Sequence, residues 1–402
     1  MDEYISKIKS GELKLYALEK EMAASDAVAV RRKYISEETD ADLTSVGSYT
    51  ISPDSLVKRN IENMIGCVQI PIGVAGLLRV KGEYADGSFW IPIATTEGAL
   101  VASINRGCSA ISKAGGAEAR ILKDAMTRAP VFAARSVAHA AETARWAEDN
   151  LIVLKEAAES TTSHGELIGL TTYTAGTSVF VRFEFDTKDA MGMNMATIAS
   201  EAAAKVIEVE TGAKLIAVSG NMCCDKKPSA INVIEGRGKT VSAGVFLSDD
   251  LVRSVFKTES SLLVEVNTRK NLVGSARAAS FGFNSHAANV VAGIFLATGQ
   301  DAAHVVEGSN TITTVDIQEG GVYVSVTMPS LQVGTIGGGT SIPTQNECLK
   351  LLGVAGGADG NNSKKFAEII ACAVLAGELS LIGALAADQL VKAHVELGRG
   401  GK

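Results

Sequence analysis

Residues 129–219 carry the order of secondary structure that most restricts the fold of this chain. Four strand patterns alternate with two helical patterns, and the third strand pattern alternates Val179, Val181, Phe183 and Phe185 with more polar neighbours. The order strand, helix, strand, strand, helix, strand is that of the ferredoxin-like unit. The predicted elements are Ala129–Phe132, Ser136–Ala158, Glu166–Tyr173, Ser178–Asp186, Met195–Thr211 and Lys214–Ser219.

The rest of the chain divides around this unit. With 402 residues the chain is too long for one ordinary core. We predict an α/β (α+β) fold: a large, helix-rich domain with an inserted ferredoxin-like (βαββαβ) domain, preceded by a small helical region. The predicted boundaries are 1–60 for the helical region, 61–121 and 219–402 for the large domain, and 122–218 for the insertion.

Composition supports this fold class. The chain is 46% hydrophobic and only 5% aromatic, and it contains 40 glycines. Cores built from Ala, Val, Ile and Leu are typical of α/β proteins, and many glycines indicate tight turns and close backbone approach. The segment Ile61–Leu78 combines glycines with β-branched residues, which predicts a buried, closely packed backbone.

Charge and cysteine usage exclude several classes of partner. The net charge is −7 and there is no basic stripe, which argues against nucleic acid and anionic membrane as partners. No apolar run reaches the ~18 residues that span a bilayer. The six cysteines show no CxxC or Cys/His spacing. We therefore predict a cytoplasmic protein with reduced thiols and no metal site.

The segment 219–239 contains the most unusual charged motif, Asp225-Lys226-Lys227-Pro228, between apolar neighbours. An ammonium held in such surroundings becomes a fixed positive charge that can stabilise an oxyanion. A structural lysine paired with Asp225 is an equally good interpretation of these residues alone.

Two glycine-rich loops are candidate anion sites. Residues 189–194, DAMGMN, follow a strand and open a helix, whose free N–H groups can hold an anion. Residues 334–340, GTIGGGT, offer a second set of backbone donors. Neither loop is a Walker motif or a Rossmann fingerprint, and each is as consistent with a simple turn.

Three further residues are candidates for acid–base chemistry. Glu97 is a lone carboxylate in a neutral stretch, Asp301 follows an apolar helix, and His394 lies near the chain end. A buried carboxyl group can donate a proton, and a histidine near a mobile terminus can act as a proton donor. Helix capping and dipole stabilisation are the structural alternatives.

Taken together, these segments resemble hydroxymethylglutaryl-CoA (HMG-CoA) reductases, in particular the soluble archaeal-type class I enzymes. The matching blocks follow the family's order from Glu62 to His394 and cover most of the chain. They are ENMIG, IPIGVAGLL, TTEGALVASINRGCSAI, DAMGMN, SGNMCCDKKPSAINVIEGRGK, NLVGSA, HAANVV, GQDAAHV, GTIGGGT and LAADQLVKAH.

The resemblance implies a role for each matching position. The implied catalytic residues are Glu97, Lys226, Asp301 and His394. Those implied to hold the hydroxymethylglutaryl group are Arg120, Ser219, Asp225, Lys227, Lys270, His286 and Asn289, with Asn105 and Arg106 for the coenzyme A portion. The implied cofactor-binding residues are Asp189, Met191, Gly192, Met193, Asn194, Gly334, Thr335, Gly337, Gly338 and Gly339.

The resemblance also implies the reaction. Two hydride transfers from NADPH reduce HMG-CoA to mevalonate and free coenzyme A, as in isoprenoid biosynthesis, with the large domain binding HMG-CoA and the insertion binding the dinucleotide. Lys226 would hold the developing oxyanion and His394 would protonate the coenzyme A thiolate. Glu97, kept protonated by a network with Asp301 and Lys226, would protonate the substrate oxygen.

One departure from the family pattern concerns the cofactor. Ser163 stands after Glu159-Ser-Thr-Thr, where members of the family commonly have an arginine that contacts the 2′-phosphate of NADPH. Lys188 is a candidate replacement, and NADH is the alternative cofactor. The resemblance further implies a homodimer, or a tetramer of dimers, with shared active sites and with residues 62–66 near the subunit interface.

Three other functions use some of the same residues. Mevalonate oxidation with NAD would employ the same catalytic groups in reverse. A binding module without turnover would need none of the acids, and Glu97 and Asp301 disfavour it. A Schiff base on Lys226 would need a neutral amine, which the adjacent Asp225 disfavours.

Overall fold

The computed structural model describes the backbone of residues 1–399 and the side chains of residues 1–388. The N-terminal region is helical, and Leu18, Ala27 and Val30 form a small core of their own. It is followed by an antiparallel hairpin, a helix and a long strand. The elements are α1 (Asp2–Lys9), α2 (Ala24–Thr39), α3 (Pro53–Leu56), β1 (Ile72–Gly82), β2 (Asp86–Ala94), α4 (Leu100–Lys113) and β3 (Ala117–Arg128).

The inserted unit has the ferredoxin-like topology predicted from the sequence. Its antiparallel strands lie in the order β7, β4, β6, β5. The predicted first helix is two helices, because the chain breaks at Asn150, whose side chain donates a hydrogen bond to the Trp146 carbonyl. The elements are β4 (Val131–Ala133), α5 (Val137–Asp149), α6 (Leu151–Glu159), β5 (Glu166–Ala175), β6 (Ser178–Asp186), α7 (Met193–Thr211) and β7 (Lys214–Ala217).

The rest of the large domain wraps a mixed sheet around one long helix. The helices are α8 (Ala230–Ile234), α9 (Asp249–Phe256), α10 (Ser260–Val266), α11 (Ser275–Arg277), α12 (Ala287–Thr298), α13 (Val305–Gly308), α14 (Pro343–Leu351) and α15 (Asn361–Arg399). The strands are β8 (Gly238–Ser248), β9 (Ile312–Gln318) and β10 (Gly321–Leu331). A π-helical segment, Asn267–Gly274, joins α10 to α11.

Strand β3 joins the two domains. Its first part pairs with β1 and β8 of the large domain, and its last residues, Met126–Arg128, pair with β6 of the insertion. Each side has its own buried core, one around α15 and one between α5, α6, α7 and the ferredoxin-like sheet. The domains therefore meet along a continuous strand, and the ends of their elements face one another there.

Helix α15 is the centre of the large domain. Its stretch Asn361–Asp388 is long and apolar enough to cross a membrane, but 83% of its most apolar window is buried inside the protein. Two buried glutamates of this helix bind loops. Glu368 accepts the N–H groups of the turn between β1 and β2, and Glu378 accepts those of Ser285 and His286 just before α12. The helix is thus a core element.

The segment Ile61–Leu78 differs from its prediction. Val68, Ile72 and Val74 are 84%, 53% and 47% exposed rather than buried. The apolar character of this segment is therefore not explained by the core of a single chain.

Candidate active site

A cavity of about 770 Å³ opens where the insertion meets the large domain. Its walls are formed by the two glycine-rich loops, the first turn of α7, the loop that carries Lys226 (the Lys226 loop) and the end of α12. This volume falls within the range of pockets that bind cofactor-sized ligands. The sequence motifs that were far apart along the chain therefore meet here.

The two glycine-rich loops pack closely against each other. Gly192 caps α7 with φ +85°, and a Cβ on Gly334 would lie 2.4 Å from the backbone nitrogen of Met191. The two loops therefore touch, and larger residues would separate them. The unpaired N–H groups of the first turn of α7 lie at the cavity, where they favour an anion such as a pyrophosphate. These residues fit a dinucleotide.

Most of the predicted cofactor-binding residues line this cavity. Those that do are Met191, Gly192, Met193, Asn194, Gly334, Gly337, Gly338 and Gly339. Asp189 and Thr335 are buried behind the wall instead. The Asp189 carboxylate accepts hydrogen bonds from the N–H groups of Ala358, Gly360 and Ser363, and the Thr335 N–H donates to the Asp189 carbonyl. Both residues hold the wall together.

The Lys226 side chain meets Asp301 at the edge of this cavity. Its Nζ lies 2.8 Å from Asp301 Oδ2, and its backbone has φ +58°. The hydrogen bond and charge of Asp301 raise the pKa of Lys226, so the amine stays an ammonium ion at neutral pH. Because the side chain is 44% exposed, this charge is available to a ligand.

Asp225 precedes Lys226 in the same loop, and its carboxylate contacts the buried side chains of His304 and Arg237. Its Oδ1 lies 2.9 Å from His304 Nε2 and 3.1 Å from an Arg237 nitrogen. Burial alone would raise the pKa of Asp225, but the His304 hydrogen bond and the charges of Arg237 and Arg128 outweigh it and hold the pKa well below its ordinary value. Asp225 is therefore a carboxylate that fixes its loop.

We expect the free energy of unfolding of Asp225→Asn to fall less steeply than that of the wild type as the pH is lowered. Above the ordinary carboxyl pKa of 3.8 the ionised Asp225 stabilises the folded state, and this contribution is lost as the pH falls through the lower folded-state pKa. Urea unfolding between about pH 4 and pH 2 should show a shallower pH slope for Asp225→Asn than for the wild type. The exposed Asp250→Asn is the control, and equal slopes for both variants would contradict this account.

Glu97 lies in a second group of residues, at the other end of α12. Its Oε1 lies 3.4 Å from Asn289 Nδ2, in the first turn of α12, whereas Asp301 follows the last turn. Because a helix rises about 1.5 Å per residue, Asn289 and Thr298 are roughly 14 Å apart along α12. The predicted network that joins Glu97 to Asp301 and Lys226 is therefore wrong for a single chain. Glu97 is also exposed.

His286 belongs to the Glu97 group. Its Nε2 lies 2.8 Å from the Gly377 carbonyl, and its backbone N–H binds Glu378 of α15. Lys270 is exposed on the π-helical segment, a type of helix that often marks functional sites. Arg120, Ser219 and Lys227 are also exposed, and the last two belong to the Lys226 segment. Ser219 and Lys227 thus lie with Lys226, and His286 and Asn289 lie with Glu97.

The predicted coenzyme A residues lie on α4. Asn105 accepts a hydrogen bond from the Gly76 N–H, and the Arg106 guanidinium donates to the Ser380 hydroxyl and carbonyl on α15. Both side chains remain partly exposed. The backbone of His394 belongs to α15, and the His394 side chain lies outside the part of the chain whose side chains are described.

Known proteins match this chain along nearly its whole length. The family model for hydroxymethylglutaryl-coenzyme A reductase matches residues 27–399. The 3-hydroxy-3-methylglutaryl-coenzyme A reductase of Halobacterium salinarum is 56% identical over 395 residues, 98% of each chain. The chain belongs to the hydroxymethylglutaryl-coenzyme A reductase family. The enzyme of the same name from Pyrococcus horikoshii is 53% identical over 406 residues, 99% of this chain and 98% of that one.

Solved HMG-CoA reductase structures share the fold. A structure of the Streptococcus pneumoniae enzyme has a TM-score of 0.67 at 19% identity and covers 92% of this chain and 97% of that one. A class II structure from the same organism, bound to NADPH in open conformations, has a TM-score of 0.66 at 18% identity and covers 93% and 100%. The predicted family and the predicted fold class are therefore confirmed.

Several residues of this HMG-CoA reductase site were missed by the sequence analysis. Asn60, Arg128 and Gln345 line the main cavity, and none of them lies in a motif that predicts binding; Gln300 also lines it and lies in the GQDAAHV block, but no role was assigned to it. The buried neighbours of the Lys226 loop were also missed: Arg237, His304 and Glu307. A signal did exist, since His304 and Glu307 are polar residues at helical spacing after Asp301.

Proposed function

We propose that this chain reduces HMG-CoA to mevalonate and free coenzyme A in two successive hydride transfers, at a site that two copies of the chain complete. The observation that carries the proposal is the Lys226 ammonium, paired with Asp301 at the edge of a cavity that two glycine loops shape for a dinucleotide. The dinucleotide supplies the hydride in both steps. The chain's own residues supply charge, protons and orientation.

Lys226 stabilises the negative charge on the substrate oxygen. Each hydride addition to a carbonyl carbon places charge on its oxygen, and a preorganised ammonium lowers the energy of that state. The raised pKa of Lys226, caused by the Asp301 hydrogen bond, keeps it protonated throughout. The same feature disfavours a Schiff base, which begins with a neutral amine.

Glu97 delivers the proton to that oxygen, and residues of both groups contribute to binding the acyl portion of the substrate. Asn289 orients the Glu97 carboxyl, while Lys270, Arg120, Lys227 and Ser219 provide donors for the substrate carboxylate and hydroxyl. Positioned proton donors of this kind contribute on the order of 10²–10⁴ in rate.

Asn105 and Arg106 hold the coenzyme A portion, and His394 protonates its thiolate. An imidazole that titrates near neutrality suits a leaving thiol whose own pKa is about 8.5. This step lets coenzyme A depart as a neutral thiol after the first reduction.

Two copies are needed because the Glu97 group and the Lys226 group do not meet within the described part of one chain. The outer surface of the β1–β2 hairpin and its flanking segment is apolar and exposed, with Val68, Ile72, Val74, Leu77 and Trp90 all facing solvent. A contiguous exposed apolar surface of this kind marks a protein–protein interface. Its coverage by a second copy would form a homodimer, or a tetramer of dimers, and bring the Glu97 group of one chain to the Lys226 group of its partner.

We propose that the adenosine ribose of the dinucleotide lies in a second cavity, of about 500 Å³. Ser163, His164 and Lys188 line it together with Glu159, Glu166 and Asp359, and Ile336 is shared with the main cavity. Lys188 Nζ lies 2.8 Å from Asp186 and 3.6 Å from Glu166. We propose NADPH as the cofactor, with weak discrimination against NADH because the cation beside the 2′-phosphate is already paired.

Ser163→Arg is expected to raise the ratio of kcat/KM for NADPH over NADH by about tenfold or more. A guanidinium can bind a phosphate through two hydrogen bonds, and tenfold corresponds to about 1.4 kcal/mol. Steady-state kinetics with both dinucleotides measures the ratio. Ser163→Gln is the neutral control of similar reach, and an arginine variant no better than this control would place the 2′-phosphate elsewhere.

The proposed reaction itself is tested by adding HMG-CoA and NADPH or NADH to the purified protein. Loss of the dinucleotide absorbance with release of two oxidised dinucleotides per thiol is the expected result, and no oxidation of either would contradict it. Running the assay from mevalonate, coenzyme A and NAD tests the oxidative direction. A cytoplasmic location is part of the proposal, supported by six free cysteines.

A further inference from the structure

A buried cluster of charged residues lies directly beneath the loop that carries Lys226. Arg237, His304 and Glu307 are each 0% exposed. Arg237 precedes β8, His304 ends the short 3₁₀ turn after Asp301, and Glu307 lies in α13. Burying three ionisable groups together is costly unless they are paired and hydrogen-bonded, as these are with one another and with Asp225.

Glu307 fixes the backbone of Lys226. The Lys226 N–H donates to Glu307 Oε1 at 2.5 Å, and the same oxygen lies 3.4 Å from an Arg237 nitrogen. Lys226 has φ +58°, a left-handed conformation that non-glycine residues adopt only when their surroundings impose it. The buried Glu307 carboxylate holds the Lys226 N–H in this conformation.

His304 stands between the two carboxylates that flank Lys226. Its Nε2 lies 2.9 Å from Asp225 Oδ1, and its Nδ1 lies 3.8 Å from Asp301 Oδ2. That Asp301 oxygen is the one bound by Lys226 Nζ. Movement of the imidazole would therefore shift both the residue before Lys226 and the partner of its ammonium.

The same residues do not form a metal site. Ligand atoms of Asp225, His304 and Glu307 lie within 4.8 Å of one another, as in many metal sites. The Arg237 guanidinium, however, contacts both carboxylates from inside the cluster, at 3.1 Å and 3.4 Å. A positive charge therefore already occupies the position that a cation would need.

We propose that His304 and Glu307 are positioning residues for the reaction: Glu307 holds the Lys226 backbone, and His304 spaces Asp225 from Asp301 so that the Lys226 ammonium points at the reacting oxygen. The inference rests on the catalytic role proposed for Lys226. Its effect is on turnover rather than on ligand binding, because neither residue lines the cavity.

Two substitutions of His304 by amides test whether the position of the hydrogen-bond donor matters. The amide nitrogen of glutamine reaches the place of Nε2 and can donate to Asp225, whereas that of asparagine reaches only the place of Nδ1. We expect His304→Gln to keep kcat within about threefold and His304→Asn to lower it about tenfold or more, since small misplacements near reacting groups cost up to about 10². The KM for HMG-CoA and the Kd for NADPH should change less than about threefold in both.

His139 provides the matched control. It is also buried, and its ring binds the Arg135 N–H and the Thr211 carbonyl in the insertion, far from Lys226 in the fold. His139→Gln and His139→Asn should affect the melting temperature as the His304 variants do, with kcat unchanged. Glu307→Gln, which keeps an oxygen for the Lys226 N–H, should retain more turnover than Glu307→Ala.

The outcomes separate the inference from the proposed function. A wild-type protein that oxidises neither dinucleotide with HMG-CoA defeats the proposed function first. With an active wild type, equal kcat for His304→Gln and His304→Asn, or equal kcat for the two Glu307 variants, would overturn the positioning role. If His304→Asn does not fold, the Glu307 pair decides.

Discussion

Lys226→Ala will lower kcat for HMG-CoA reduction by on the order of 10²–10³, the usual cost of removing a preorganised group from an oxyanion. The expectation follows from the Lys226 ammonium, which Asp301 keeps protonated at the edge of the cavity. The Kd for NADPH should hardly change, because the glycine loops and the first turn of α7 provide most of that wall. Single-turnover and steady-state kinetics measure the two quantities.

Lys227→Ala is the matched control for this variant. The two lysines are adjacent and both exposed, but among the described residues Lys227 Nζ binds only the Asp225 carbonyl, whereas Lys226 Nζ binds Asp301. We expect Lys227→Ala to raise the KM for HMG-CoA and to leave kcat within a few fold, the signature of lost binding that is equal in ground and transition states. A Lys226→Ala variant with near wild-type kcat would remove the oxyanion role.

Glu97→Gln will lower kcat by about 10²–10⁴, because it removes the proton donor and keeps the shape of the side chain. Although Glu97→Gln removes turnover, it should leave the structure of the Lys226 group in the same chain unchanged. Glu97 contacts Asn289 at the start of α12 and makes no described contact with Lys226 or Asp301. Dinucleotide binding and the melting temperature should therefore equal those of the wild type. The exposed Glu142→Gln on α5 is the control.

The inserted unit could be predicted closely from the sequence because its signals are local. The strand Ser178–Asp186 has the predicted bounds and helix α7 ends at the predicted Thr211, because alternation and helical periodicity are carried by neighbouring residues. The glycine loops were also identified by local pattern, and both reached the same cavity. The break at Asn150 was missed because a helical hydrophobic pattern runs through it.

Other features depend on residues that are distant in the chain, and these features could not be predicted from the sequence. Asp189 lies in a local motif, but the N–H groups that its carboxylate binds lie some 170 residues away in the chain. The distance from Glu97 to Lys226 is set by α12, which neither motif contains. Val68, Ile72 and Val74 are exposed although they are hydrophobic. Hydrophobicity predicts that a side chain is buried, but it does not tell whether its own chain or a second copy buries it.

The shared site is the central claim, and mixing two inactive variants tests it most directly. Glu97→Gln and Lys226→Ala should each be inactive alone. In co-expressed mixed dimers, one of the two sites combines an intact Glu97 from one chain with an intact Lys226 from its partner. Random pairing then predicts recovery of about a quarter of wild-type activity. If each chain carries a complete site, the mixture will stay as inactive as its components, and the account of a composite site will be wrong.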